Sequence, residues 1–172
     1  MTSRSCGSQY QNTAEPVRSG GGELELRRDW RGGFMVSLNY ALQRSSYEQD
    51  ASLAGDRRLR EVPNSPVHTG GARLTVPLAG RALRASSRLA VESARYDVSD
   101  HPGDPPQQKL DAGVIWDLVL SGDAPDSHAS WSAGFDNAAD WRQRVPVSVE
   151  FQPIRAVNVP GRTLVAQVTV TW

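Results

Sequence analysis

The side chains able to bind metal or do covalent chemistry are few and scattered in this chain. The three histidines, His68, His101 and His128, share no ligand-like spacing. Cys6 is the only cysteine, so neither an internal disulfide nor a cysteine-based zinc site can form. Serines and aspartates are present, but no nucleophile elbow, metal-binding pair or phosphate-cradling loop accompanies them. The run Gly20-Gly21-Gly22, preceded by Ser19, leads into a strand pattern rather than a helix, which excludes a dinucleotide site. Arg31-Gly32-Gly33 reads as a hairpin turn. The expectation is therefore no enzyme, no metal and no cofactor. Arg73, Arg84, Arg88, Glu92, Asp111 and Asp117 fall at the polar positions of alternating stretches and are expected to face water.

The elements that carry these residues are strands. Apolar residues recur with a period of two, the spacing at which successive side chains share one face of a sheet. Phe34, Val36, Leu38, Tyr40 and Leu42 alternate with Ser37, Asn39 and Gln43. Ala72, Leu74, Val76 and Leu78 form a second set, and Leu83, Ala85, Leu89 and Val91 a third. Leu110, Ala112, Val114, Trp116, Leu118 and Leu120 form a fourth, and Leu164, Ala166, Val168, Val170 and Trp172 a fifth. Weaker patterns cover Gly22–Trp30, with Leu24 and Leu26, and Ser127–Phe135, with Trp131 and Phe135. The pattern predicts an all-β fold, an antiparallel meander of about seven long strands, with 1–17 as an irregular N-terminal segment. Several strands reach ten residues or more, against about 5–6 for a mean globular strand and about 9–11 for a tilted membrane-spanning one.

The connections alternate in length. Trp30–Gly33, Ala79–Arg81 and Ser121–Asp126 are short. Glu48–Pro66, Asp97–Gln108 and Asp136–Pro160 are long. Short turns on one side and long loops on the other belong to an outer-membrane barrel, and a soluble sandwich has no reason to segregate its loops this way. Composition agrees: 38% apolar residues is thin for a dense core and ample for a sheet that is apolar on one face. No run of about 18 apolar residues offers a transmembrane helix. The N-terminus, MTSRSCGSQYQNTAEP, lacks the apolar stretch of a signal peptide, so an outer-membrane location holds if the protein is exported. A formal net charge of zero gives no reason to expect nucleic acid.

From about Tyr10 to Trp172 the chain resembles the C-terminal part of a TonB-dependent outer-membrane receptor. The resemblance rests on Tyr10-Gln11-Asn12-Thr13 with Gly22-Glu23-Leu24-Glu25-Leu26, on the step Asn64-Ser65-Pro66-Val67-His68, and on Val159-Pro160-Gly161-Arg162-Thr163 running into a strand that ends on an aromatic. Asn137-Ala138-Ala139-Asp140-Trp141 keeps the asparagine and aspartate of an Asn-Leu-Phe-Asp-like element but replaces its Leu-Phe pair with alanines. The family-motif positions are thus Asn64, Pro66, His68, Asn137, Asp140, Pro160, Gly161 and Arg162. Gly161 is expected to supply unusual dihedrals at the loop exit. Pro66 and Pro160 sit where a missing amide costs little.

The resemblance implies that 18–172 is the C-terminal part of a barrel importing a scarce nutrient, such as an iron–siderophore complex. No residue identifies the small-molecule ligand. It implies outer-membrane lipid as surroundings, a missing N-terminal plug domain and further barrel strands, and the TonB complex and barrel-assembly machinery as partners. Val168, Val170 and Trp172 would form the assembly signal in the closing strand. With the C-terminus periplasmic, the three long loops lie outside the cell and the first strand begins outside, so the odd strand set reads as an incomplete barrel, inactive alone. Two other classes fit the alternation: a passive, porin-like barrel, and a soluble β-sandwich binding module with a closed apolar core between two sheets.

Overall fold

The computed structural model describes residues 16–48, 61–79, 82–97, 108–124, 128–147 and 156–172. In chain order the strands are β1 (Val17–Asp29), β2 (Met35–Tyr47), β3 (His68–Pro77), β4 (Arg84–Glu92), β5 (Arg95–Tyr96), β6 (Lys109–Leu110), β7 (Gly113–Ala124), β8 (Ala129–Asp136), β9 (Arg144–Pro146), β10 (Ala156–Asn158) and β11 (Thr163–Val170). No helix occurs among the described residues. Seven strands form one antiparallel meander, β1-β2-β3-β4-β7-β8-β11. The other four make two small ribbons, β5-β6 and β9-β10, on the long connections.

All seven strand patterns correspond to strands of the meander, with shifted ends. β1 starts at Val17, the last residue of the segment expected to be irregular; residues 1–15, with Tyr10-Gln11-Asn12-Thr13, lie outside the described residues. β2 runs to Tyr47 and β3 begins at His68, because backbone pairing continues past the apolar residues that betray a strand in the sequence. Ser121–Ala124, expected as turn, extends β7: Ser121↔Ser132, Gly122↔Trp131, Asp123↔Ser130 and Ala124↔Ala129 are paired.

The fourth apolar set is corrected at its start. Leu110 does not share the β7 face; it sits in the β5-β6 ribbon, paired with Arg95, and is 4% exposed. Asp111 likewise precedes β7 rather than lying on it. The alternation ran unbroken through Leu110 and Ala112, so nothing in the sequence marked the change of sheet.

Register decides what the meander does with its side chains. Reading across it, Leu26 faces Leu38, Leu38 faces Ala72, Ala72 faces Leu89 and Leu89 faces Trp116. Another row joins Val36, Leu74, Ser87, Leu118, Phe135 and Leu164. Each strand's apolar set falls on the same side, since a slip of one residue at any pairing would invert that strand. The opposite side carries Glu25, Arg27, Ser37, Asn39, Arg73, Thr75, Ser86, Arg88, Asp117, Ser132, Gln167 and Thr169, in register with one another.

No second layer covers the apolar side among the described residues. Leu24 is 71% exposed and Val168 72%, and Leu110, off the meander, is the buried hydrophobic residue of the set. A soluble sandwich would bury this face against a second sheet about 10 Å away, so the sandwich expectation fails here. A soluble monomer rarely leaves more than a few hundred Å² of contiguous apolar surface bare. Among the described residues the sheet is also open: β1 and β11 form its two edges, and every residue of both strands is exposed.

Candidate functional site

Three arrangements bear on function: the apolar face, the knot at its loop end, and the final strand.

The few polar groups on the apolar face are satisfied within the protein. Trp116 Nε1 donates to the hydroxyl of Ser87 at 2.9 Å. The Tyr40 hydroxyl lies 2.8 Å from Nδ1 of His68, with the rings stacked at 6.2 Å. Pairing removes the desolvation cost such groups would carry in an apolar medium. Charge returns only toward the ends. On β1 this face reads Arg18, Gly20, Gly22, Leu24, Leu26, Arg28, with Arg28 over the Trp30 ring at 4.9 Å and Trp30 edge-on to Phe34. Ten residues separate the two arginines, roughly 33 Å along a strand at about 3.3 Å per residue. Tilted by about 40°, that projects to roughly 25 Å, the height of the apolar band of an outer-membrane barrel.

The motif residues of the longest connection come together in space. Asn137 and Asp140 have positive φ, 49° and 53°, a conformation in which asparagine and aspartate are enriched. Asn137 is 4% exposed. Its Nδ2 donates to the carbonyls of Trp141 at 3.0 Å and Pro160 at 3.1 Å, and its Oδ1 accepts from the Trp141 amide at 2.9 Å. Its own amide donates to Asp117 Oδ1 at 3.0 Å, which ties the knot to β7. Asp140 Oδ1 accepts the Arg162 amide at 2.9 Å, and its Oδ2 accepts from Arg142 at 3.2 Å. The Arg162 amide, then the Arg142 guanidinium, hold the Asp140 carboxyl below its ordinary pKa.

Gly161 serves the knot differently from the expectation. Its φ lies outside the left-handed region, and the constraint is space: a Cβ there would sit 2.5 Å from Asp140 Oδ1. The alanines replacing the Leu-Phe pair leave the backbone turn intact, because asparagine and aspartate make its hydrogen bonds.

The other motif group stands apart from this knot. Asn64, at φ 54°, donates its amide to the Tyr96 carbonyl at 2.9 Å. Pro66 precedes β3, and His68 opens it, exchanging bonds with Ser93 through its amide to Oγ at 3.1 Å and its carbonyl from the Ser93 amide at 2.8 Å. At the other end, β11 pairs with β8 as far as Val170↔Ala129, and the Thr171 amide donates to the His128 carbonyl at 2.9 Å. Val168 and Val170 lie on the apolar face, and Trp172 is fully exposed beyond the last pair.

Sequence reasoning missed the packing of the two ribbons. Glu92 accepts from Arg95 at 2.9 Å and from the Gln143 amide, linking β4 to the β9 connection. Asp97, 1% exposed, accepts the Gln108 amide at 2.7 Å and closes the β5-β6 connection. Arg95 three residues after Glu92 was a local hint; Gln143, remote in sequence, gave none. Among the described residues no cluster of His, Cys, Asp or Glu could hold a metal.

No protein-family model matches the chain, and no curated protein matches it in sequence. Two solved structures are similar to it. P. aeruginosa FpvA, in an iron complex with a heterologous pyoverdine, matches with a TM-score of 0.67 and 14% identity over 88% of this chain and 19% of that one. The Escherichia coli outer membrane transporter YddB matches with a TM-score of 0.61 and 14% identity over 88% of this chain and 25% of that one. The chain thus spans about a fifth to a quarter of the structures it matches. The likeness shows the fold: a section of β-barrel wall such as these two structures contain.

Proposed function

We propose that this chain forms the C-terminal wall of a TonB-dependent outer-membrane importer for a scarce nutrient such as an iron–siderophore complex. The observation that carries the proposal is the single-layer meander whose seven apolar sets stand in register on one uncovered face. In this reading that face meets lipid, and the face bearing Arg73, Arg88 and Asp117 lines the lumen. The connections 48–67, 93–112 and 137–162 lie outside the cell, and the short connections 30–34, 78–83 and 125–128 in the periplasm. Lipid offers the backbone groups of the two open edges no hydrogen bonds, which leaves the chain alone less stable there than a closed barrel. Further barrel strands must pair with them, and a plug domain and the TonB complex complete the machine. Val168, Val170 and Trp172 act as the signal read by the barrel-assembly machinery. The protein catalyses no reaction and takes no nucleic acid.

The test is to express the chain behind an export leader in a Gram-negative host, alone and together with a plug-bearing segment from a barrel of this type. Expected are a carbonate-resistant outer-membrane fraction, cleavage in the three long connections by external protease, and no iron–siderophore uptake by the chain alone. Recovery in the soluble periplasm would refute the membrane assignment. Uptake by the chain alone would refute its incompleteness.

A further inference from the structure

On the polar face, Arg27, Ser37, Arg73 and Arg88 form one row across four strands, each directly opposite the next. Three guanidinium groups in one row is an unusual placement, because like charges directly opposite across a strand pair destabilise it. Their acidic partners do not balance them. Arg27 is held by Asp29 through two hydrogen bonds, at 2.9 and 3.3 Å. Arg88 lies 3.6 Å from Asp117, an ion pair without a hydrogen bond, and Asp117 also accepts the Asn137 amide. Arg73 has no acidic partner among the described residues, whereas Arg84 has Asp123 and Arg95 has Glu92.

The row borders a cleft of about 210 Å³ floored by Gly71 and Ala90. The floor is low for a reason. Asn39 lies over Gly71, where a Cβ would stand 2.6 Å from its Oδ1, so only glycine lets the amide occupy that place. Asn39 and Ser37 add neutral hydrogen-bonding groups to the wall. The volume is below the roughly 300–1,000 Å³ of a drug-sized site.

We propose that this cleft is a binding site for a small oxyanion, a phosphate or carboxylate group, held between Arg73 and Arg88. A guanidinium presents paired N–H donors that match the oxygens of either group, and an anion between two facing arginines turns their repulsion into attraction. The site stands on the polar face alone and does not depend on what covers the apolar one.

The experiment uses the full chain folded in detergent micelles, with ¹⁵N-labelled arginine. Inorganic phosphate and succinate are titrated separately at constant ionic strength while the Nε–Hε resonances are followed. Arg73 and Arg88 should shift together along one saturable curve, with Arg84 and Arg95 unmoved. The tighter of the two probes identifies the class. Arg73→Gln should weaken binding at least tenfold, Arg73→Lys should weaken it less, and Arg84→Gln should leave it unchanged. A retained Arg95 resonance, from the guanidinium held by Glu92, shows that the variants are folded, and a variant that loses it is replaced by Arg88→Gln. A uniform, unsaturated drift of every arginine, or full binding by folded Arg73→Gln, would overturn the proposal. Neither result bears on membrane insertion, so the barrel reading stands or falls separately.

Discussion

A charge placed on either face of β8 tests the two-sided reading most directly. Ala133 and Ser132 are adjacent at mid-strand, both small, and point to opposite faces: Ala133 pairs with Leu120 and Ala166, Ser132 with Ser121 and Gln167. If the apolar face meets lipid, Ala133→Arg places a guanidinium near the bilayer midplane, at a cost of about 2–4 kcal/mol. That is roughly a 30- to 700-fold shift in the folding equilibrium, at about 1.4 kcal/mol per decade. Ser132→Arg projects into the polar side and should change stability by no more than about 0.5 kcal/mol, as at ordinary surface sites. Ala129 provides the depth control. It lies on the same face as Ala133 but at the start of β8, opposite Val170, so Ala129→Arg should cost only about 0–1 kcal/mol. The assay is urea unfolding of the chain refolded into lipid vesicles, followed by tryptophan fluorescence. Equal costs for Ala133→Arg and Ser132→Arg would refute the two-faced assignment. Equal costs for Ala133→Arg and Ala129→Arg would refute lipid as the medium, since only a bilayer grades the penalty by depth.

Three further outcomes follow from the loop knot and the apolar face. Asn137→Ala removes three side-chain hydrogen bonds at about 1 kcal/mol each, so opening of the 137–162 connection should become easier by about 2–4 kcal/mol, read as faster exchange of the Trp141 amide. The depressed Asp140 carboxyl stabilises the knot fully above its ordinary pKa of 3.8, and that contribution is lost as pH falls through the lower folded value; exchange protection of the Arg162 amide should therefore persist at pH 4 and fail only in stronger acid, while Gly161→Ala should weaken it at every pH. Trp116→Phe strands the Ser87 hydroxyl on the apolar face at about 1–3 kcal/mol, and adding Ser87→Ala should recover most of that loss; an additive double mutant would show that the bond contributes nothing.

The strand inventory was legible because alternation at a period of two is local: Phe34 to Leu42 declares a two-faced strand without reference to any partner. Strand ends were less legible. Ser45, Ser46 and Tyr47 pair like their neighbours, yet carry no apolar periodicity to mark it. Leu110 was not legible at all, since its alternation with Val114 and Trp116 is real but the chain joins the meander only after it, at Gly113.

The motif residues divide the same way. Asn137, Asp140, Pro160, Gly161 and Arg162 could be singled out from the sequence, but their union in one hydrogen-bonded knot required the chain to return from β8 to β11. By itself the sequence determined that each strand has an apolar and a polar side, because side-chain direction follows from backbone geometry alone. Only the tertiary structure decided that all seven apolar sides coincide on one uncovered face, and that Arg73 stands opposite Arg88, because both depend on strand register, which is set by pairing between residues remote in the chain.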